Sequence, residues 1–277
     1  MFDTLGTRMK ENYESISKTR LIRRTPVIIR IDGKAFHTYT RGMAKPFDSI
    51  LIIAMQNTMK FLCENVQGCV LGYHQSDEIS LLLIDYKRFN SCAWFDNEVQ
   101  KICSISASLA TGFFNQEIKR LISNLTEEEF KALSQPVSEA YQDILDHKLA
   151  FFDARCFNVP REEVTNYFYW RQQDAIRNSV QMVGQFYFSH KELHKKSSAE
   201  IRQMLLDQKQ VDFYNDLPLS RQRGTCCIKN SAWLNWDSNG TKCLSTDVDQ
   251  WVQVENIPIF KEDGRELIEQ LLIPEEI

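Results

Sequence analysis

Glycine and proline are scarce in this chain, 10 and 7 of 277 residues, which leaves little room for flexible linkers or low-complexity tracts. No C-x-x-C pair occurs among the eight cysteines (Cys63, Cys69, Cys92, Cys103, Cys156, Cys226, Cys227, Cys243), so neither a zinc knuckle nor a thioredoxin-type site is indicated and reduced thiols are expected. Long apolar runs are missing too. The stretch 50–55 is far short of a membrane span, and MFDTLGTRMK lacks the apolar core of a secretory signal. No membrane partner is expected, and the cytoplasm is the expected compartment. The sequence has no G-x-x-x-x-G-K-[ST] loop, which excludes a P-loop enzyme. A formal net charge of −4 supplies no global field to collect nucleic acid, so any such binding rests on local patches. Lys18, Arg20, Arg23 and Arg24 form one candidate, equally readable as a solvated face.

What is present fits a structured chain: 43% hydrophobic and 25% charged residues in a length that buries a core without staples. A helical pattern over 3–18 is stopped by Thr25-Pro26, which launches VIIRID (27–32) as a short strand ending at Asp32-Gly33. Pro46 with Asp48 or Ser49 starts a helix that continues to Cys63, and Gly68 closes it. CVLGYH and ISLLLIDY are two strand-like runs joined by Gln75-Ser76-Asp77-Glu78, the length and chemistry of a tight hairpin. A second helix is expected from about 97 to 122, and FFDARCFNV (151–159) as a fourth strand. Between them lies an acid-rich surface helical insertion with Pro136 as its internal boundary. Residues 161–190 predict one long, mostly buried aromatic helix, followed by shorter helices, a turn at 222–224 and a mixed tail. The fold class is therefore α+β, a ferredoxin-like β-α-β-β-α-β core with helical additions. Its N-terminal half (1–136) carries both strand-end acids, and its C-terminal half (137–277) completes the sheet.

Asp32 ends one strand and Asp77 sits at the central hairpin, and in such a sheet these strands are neighbours. Two carboxylates brought together repel and desolvate poorly, and a divalent cation resolves both problems. Mg²⁺ fits best, since it takes hard oxygen ligands from one or two carboxylates plus substrate phosphates. Gly33 allows its backbone to approach a metal or phosphate, with its carbonyl as a ligand. Taken singly, Asp32 and Asp77 also read as ordinary turn residues. Residues Lys34 to His37 have backbone amides that suit phosphate. Arg171, Asp174 and Asn178 share one face of the long helix, where they either pair with phosphate or satisfy buried groups. Arg221, Arg223 and Gly224 form a short basic loop suited to backbone phosphate contact, or a plain surface turn. His37 and His74 flank the acids but are poor Mg²⁺ ligands; His74 reads as a structural donor. Cys226-Cys227 reads as core.

The ordered set RIDGKAFH, MAKPFD, HQSDE, WRQQDAIRNS and LPLSRQRGT resembles the tRNA-histidine guanylyltransferase family, and more closely its bacterial and archaeal guanylyltransferase-like branch, over roughly residues 5 to 230. The resemblance implies a polymerase/cyclase-like palm that extends RNA 3′-to-5′ by two-metal nucleotidyl transfer, after activation of the 5′ end with ATP. It implies metal ligands Asp32, the Gly33 carbonyl and Asp77, with Glu78 beside them. It implies nucleotide-binding positions Asp32, Gly33, Lys34, Ala35, Phe36, His37, Ser76 and Asp77, with Lys45 and Asp48 tied to triphosphate handling. Lys45 joins Asp32, Asp77 and Glu78 as catalytic candidates. Cofactors are two Mg²⁺ ions, with ATP and GTP or other nucleoside triphosphates as substrates. Partners are tRNA, with RNA contacts at Arg171, Asn178, Arg221 and Arg223, and further copies of the chain in a homo-tetramer. Where eukaryotic members carry H-I-N-N-L-Y-N, residues 176–182 read IRNSVQM, keeping only Asn178 in register. That departure favours template-dependent repair of 5′-truncated tRNAs over dedicated G addition to tRNA-His. A nucleotidyl cyclase shares the palm and the paired acids, but no G-G-D-E-F hairpin is present. An inactive RNA-binding relative is opposed by the intact Asp32, Asp77 and Lys45.

Overall fold

A computed structural model of the chain describes residues 4–229, 235–236, 242–243 and 250–274. The remainder of the expected tail and the side chain of Cys243 lie outside the described residues. Helix α1 (Thr4–Met9) continues as irregular helical turns to Ser17, and none of these residues is buried. Then follow β1 (Val27–Gly33), the single turn α2 (Phe36–Tyr39), α3 (Ser49–Asn65), β2 (Cys69–Gln75), β3 (Glu78–Leu83) and α4 (Val99–Ser123). Helices α5 (Glu127–Ala132) and α6 (Gln135–Asp146) precede β4 (Phe152–Asn158), and the long helix α7 (Val164–Tyr187) follows. Helices α8 (His190–Leu193), α9 (Ser198–Lys209) and α10 (Leu219–Arg223) lead to β5 (Thr225–Lys229). A two-residue ladder, β6 (Asn235–Trp236) with β7 (Lys242–Cys243), stands apart from β8 (Trp251–Val254) and α11 (Glu266–Glu269).

The main sheet has strand order β4-β1-β3-β2-β5-β8, with every neighbouring pair antiparallel. Both faces are covered, which is why all six residues of β3 are buried, the polar Glu78 and Ser80 included. On one face Ile29, Ile31, Leu81 and Leu83 pack with α3 and α4 residues such as Met59, Leu62, Ile102 and Phe114. On the other, Ile28, Leu71, Tyr73 and Leu82 meet Val164 and Phe168 of α7 and Leu267 and Ile268 of α11. The strand period of two sorts these residues. A third cluster, Val180, Val183, Ile201, Leu205 and Phe213, ties the C-terminal half of α7 to α9.

Two sequence expectations, on the insertion before β4 and on the turn at 222–224, are corrected. The insertion before β4 is not merely a surface feature: α6 buries Val137, Ala140, Tyr141 and Ile144 against the main core. Pro136 lies in the first turn of α6, where its fixed φ suits a helix start and no amide is missed, and the sheet takes strands from both sides of it. The turn expected at 222–224 is the end of a short helix, with Gly224 (φ +84°) passing the chain into β5. The extension of the sheet by β8 had no clear alternation to announce it.

Candidate active site

The register places the acids. Asp32 is the cross-strand partner of Glu78, and the Gly33 amide donates to the Asp77 carbonyl at 3.1 Å, which sews the end of β1 to the hairpin. The hairpin is two residues long, with Ser76 at φ +53° and its hydroxyl donating to Asp77 Oδ1 at 3.0 Å. Burial pushes the Asp77 carboxyl up from its ordinary value; the Ser76 hydroxyl opposes this and the negative charge of Asp32 adds to it. The two aspartates thus feel each other's charge.

Gly33 is required for a reason the sequence did not reveal. A Cβ there would meet the Phe36 ring at 2.3 Å, because that ring folds back over the strand end and packs on Tyr39, Phe114 and Phe152. Phe36 is 5% exposed, so what it offers the cleft is backbone. Ala35 takes the left-handed conformation (φ +53°) that reverses the chain into α2. The Lys34 amide is already committed to the Phe151 carbonyl (2.8 Å), and Thr38 and Tyr39 donate to Ala35.

These elements form one wall of a cleft of about 750 Å³. Gly33, Ala35, Phe36, His37, Lys45, Asp48, Ser76, Asp77, Asn178 and Arg221 line it, together with Arg41 and Gln185, which sequence reasoning missed. Lys45 is exposed at its edge. Asp48 is 4% exposed and caps α3: its carboxylate accepts from the Leu51 and Ala44 amides (both 3.0 Å) and from the Tyr141 hydroxyl (2.9 Å). Its lone pairs are spent on fixing the loop that presents Lys45. His74, beneath the hairpin, faces the Ser76 carbonyl at 2.9 Å through Nε2. A carbonyl can only accept, so Nε2 holds the proton and Nδ1 accepts from Thr225 Oγ1 at 3.4 Å. Burial lowers the His74 pKa to about 4, with the Ser76 carbonyl opposing and the Arg221 charge assisting, so the ring is neutral at pH 7.

The remaining candidates separate. Glu78 is 5% exposed and held bidentately by Arg171 (Nε–Oε1 and Nη2–Oε2, both 2.7 Å). Arg171 is itself 5% exposed and also donates to Asp174. Of the two readings of the polar stripe, the contacts of this arginine are those of a side chain that satisfies buried groups. Asn178 lines the cleft, while Arg177 pairs with Asp174. Arg221 and Arg223 part company: the first lines the cleft, whereas Arg223 has a buried Nε without a hydrogen-bond partner. Burial lowers the pKa of both guanidiniums, partly offset at Arg221 by Glu255 and at Arg223 by Tyr73. The basic cluster near the N-terminus is largely self-neutralised, with Lys18 on Glu14, Arg20 on Asp96, and Arg23 on Asp85 and Asp96.

Asp77 faces a cleft lined by Arg41, Lys45 and Arg221, with Asp32 at the adjoining strand end but not among the lining residues, a layout compatible with a site that transfers phosphoryl groups. A family model described as tRNAHis guanylyltransferase (Thg1) matches residues 6–160. Among solved structures, a bacterial tRNA(His) guanylyltransferase (Thg1)-like protein in complex with ATP is 39% identical with a TM-score of 0.79, covering 98% of this chain and 99% of that one. A complex with GTP is 36% identical with a TM-score of 0.69, again covering 98% and 99%. The tRNA(His) guanylyltransferase of Schizosaccharomyces pombe is 25% identical over 245 residues, 84% of this chain and 83% of that protein. The chain belongs to the tRNAHis guanylyltransferase family and is a nucleotidyltransferase.

Proposed function

We propose that this chain adds nucleotides in the 3′-to-5′ direction to the 5′ end of tRNA, copying the opposite strand, and so repairs 5′-truncated tRNAs. G addition to tRNA-His is the lesser activity. The observation that carries this reading is the pair Asp32 and Asp77, joined at the strand ends beside a cleft large enough for a nucleoside triphosphate. Full-length similarity to the bacterial Thg1-like protein in complex with ATP and GTP supports the same nucleotides here. The strand order β4-β1-β3-β2 is that of a ferredoxin-like unit, and we read it as a polymerase-type palm.

Two Mg²⁺ ions belong to this reading, held by Asp32, Asp77 and the Gly33 carbonyl. The donors fit: they are all oxygens, and among the described residues no group of three His, Cys, Asp or Glu side chains forms a protein cage, which suits an ion that shares its shell with substrate phosphate and water. When bound, such ions neutralise phosphate charge and lower the pKa of an attacking hydroxyl.

The chain's own residues do the remaining work. Lys45, presented by the Asp48-fixed loop, pairs with triphosphate oxygens as a compact charge. The amides of Ala35, Phe36 and His37, left over once Gly33, Lys34, Thr38 and Tyr39 have donated elsewhere, face phosphate at the turn. Asn178 and Arg221 on the far wall contact RNA. In the reaction so read, the tRNA 5′-monophosphate first accepts a nucleotidyl group from ATP, releasing pyrophosphate. The 3′-hydroxyl of the incoming triphosphate then attacks the 5′ phosphorus and releases the nucleoside monophosphate. A homo-tetramer accompanies this reading, with exposed Trp170, Phe186 and Tyr187 of α7 as contact surface.

The test is extension of an end-labelled tRNA lacking its first nucleotide, with ATP and each of the four nucleoside triphosphates. The templated nucleotide alone should be incorporated, more efficiently than G is added to full-length tRNA-His, and Asp77→Asn should abolish incorporation while tRNA affinity changes little. Equal or reversed efficiency removes the repair assignment; full activity of Asp77→Asn removes the site.

A further inference from the structure

The sheet face that carries Asp32 also carries Arg30, Ser80 and Glu78, since Arg30 opposes Ser80 and Asp32 opposes Glu78 across the β1–β3 ladder. Carboxylates directly opposite on one face repel, and Asp32 does push the Glu78 carboxyl upward, adding to the larger effect of burial. A cation stands between them. Arg30 Nη2 reaches Asp32 Oδ2 at 3.3 Å, and Arg30 Nε lies 3.4 Å from Glu78 Oε2. Glu78 is gripped in turn by the Arg171 fork, whose third nitrogen is tied to Asp174 (2.8 Å) and through it to Arg177. The result is an alternating series of charges, Asp32, Arg30, Glu78, Arg171, Asp174, that runs from the strand end to α7.

Arg30 is held loosely in this series. Its Nε is buried and makes no hydrogen bond, because Glu78 has already given its short contacts to Arg171. The guanidinium is thereby kept close to both acids and fully paired with neither. Asp32 retains 31% of its side-chain surface for an incoming cation, while its neighbour Glu78 is paired from behind by Arg171.

We propose that Arg171 of the WRQQDA motif and Glu78 are positioning residues for the Asp32 carboxylate, acting through Arg30, and that neither touches RNA or metal. Without Arg171, Glu78 captures Arg30, its one remaining cation among the described residues, and draws it from Asp32. The motif on α7 thus sets the cation affinity of an acid on β1. This rests on the reading of Asp32 as a cation ligand, and the experiment is built to separate the two.

Mn²⁺ binding to the full chain in the presence of ATP, read by electron paramagnetic resonance, should tighten by up to about tenfold in Arg171→Met, the scale at which outer partners of a ligand act, because Arg30 no longer competes for Asp32. Arg171→Lys, which keeps the charge and loses the fork, should fall between. The double variant Glu78→Gln with Arg171→Met leaves no buried charge unpaired, so it should regain thermal stability, and with Arg30 left to Asp32 alone it should bind Mn²⁺ about tenfold more weakly than the parent chain. Binding of tRNA should be unchanged in all three, with the same salt dependence. Unaltered Mn²⁺ affinity in a folded double variant overturns the inference, as does a tRNA affinity that falls with a salt slope smaller by about one phosphate contact. Asp32→Asn is measured alongside: if it binds Mn²⁺ as well as the parent chain, the ligand reading itself fails, whereas loss there with no effect at Arg171 or Glu78 removes only this inference.

Discussion

His74 illustrates how a single side chain is fixed by what surrounds it. With Nε2 donating to the Ser76 carbonyl and the ring almost fully buried, the neutral imidazole props up the turn that carries Asp77. Its folded pKa of about 4 lies below the ordinary 6.5, so the unfolded chain binds a proton there that the folded chain does not. Stability therefore falls as pH drops from about 6.5 to about 4, by on the order of 3 kcal/mol if the shift is fully expressed. Urea unfolding at several pH values should show this loss. His74→Gln should flatten the pH dependence across that window relative to the parent; identical profiles for the two proteins contradict a buried neutral imidazole. Asp48 is the complementary case, a buried carboxylate whose amide and hydroxyl donors replace water. Its position before a helix was readable as a cap, whereas its Tyr141 partner, 93 residues away, was not.

Between elements, the joints carry as much as the faces. Gly224 turns α10 into β5 at φ +84°, and a Cβ there would lie 2.5 Å from the His74 backbone oxygen. Gly224→Ala should therefore cost about 2 kcal/mol or more, from the strained φ and the clash together, seen as a lower urea midpoint with an unchanged slope. A midpoint within error of the parent would mean the joint relaxes freely. The Arg171–Glu78 pair is another joint, locking α7 to β3 in the interior. Removing one partner of such a pair exposes the other charge to an apolar surrounding, at about 3–5 kcal/mol; this is why the double variant is the cleaner probe of position.

At the scale of the whole molecule, the chain is a six-stranded sheet between two apolar layers, with an N-terminal helical segment that shares in neither. Leu5, Met9, Tyr13 and Ile16 on that segment are 57%, 43%, 67% and 76% exposed, and no residue of its helical turns is buried. Removing residues up to 17 should leave the melting temperature within about 2 °C, since surface deletions without buried contacts barely move stability. A fall of more than about 5 °C in differential scanning calorimetry would show that the segment is covered in solution. Among the described residues no helix is long and apolar enough to cross a membrane.

The sequence by itself determined the β-α-β-β-α-β order, the two-residue hairpin, the placement of Asp32 and Asp77 at strand ends, and the Asp48 helix start. All of these follow from local periodicity and turn chemistry within a few residues. The tertiary structure alone decided that Phe36 roofs Gly33, that α6 enters the core to hold Asp48, that β8 widens the sheet, and that Arg171 is buried on Glu78. Each of those depends on partners far apart in the chain. A charged residue on a helix face reads the same in sequence whether it meets solvent, phosphate or a buried acid, and only packing determines which desolvated group it must neutralise.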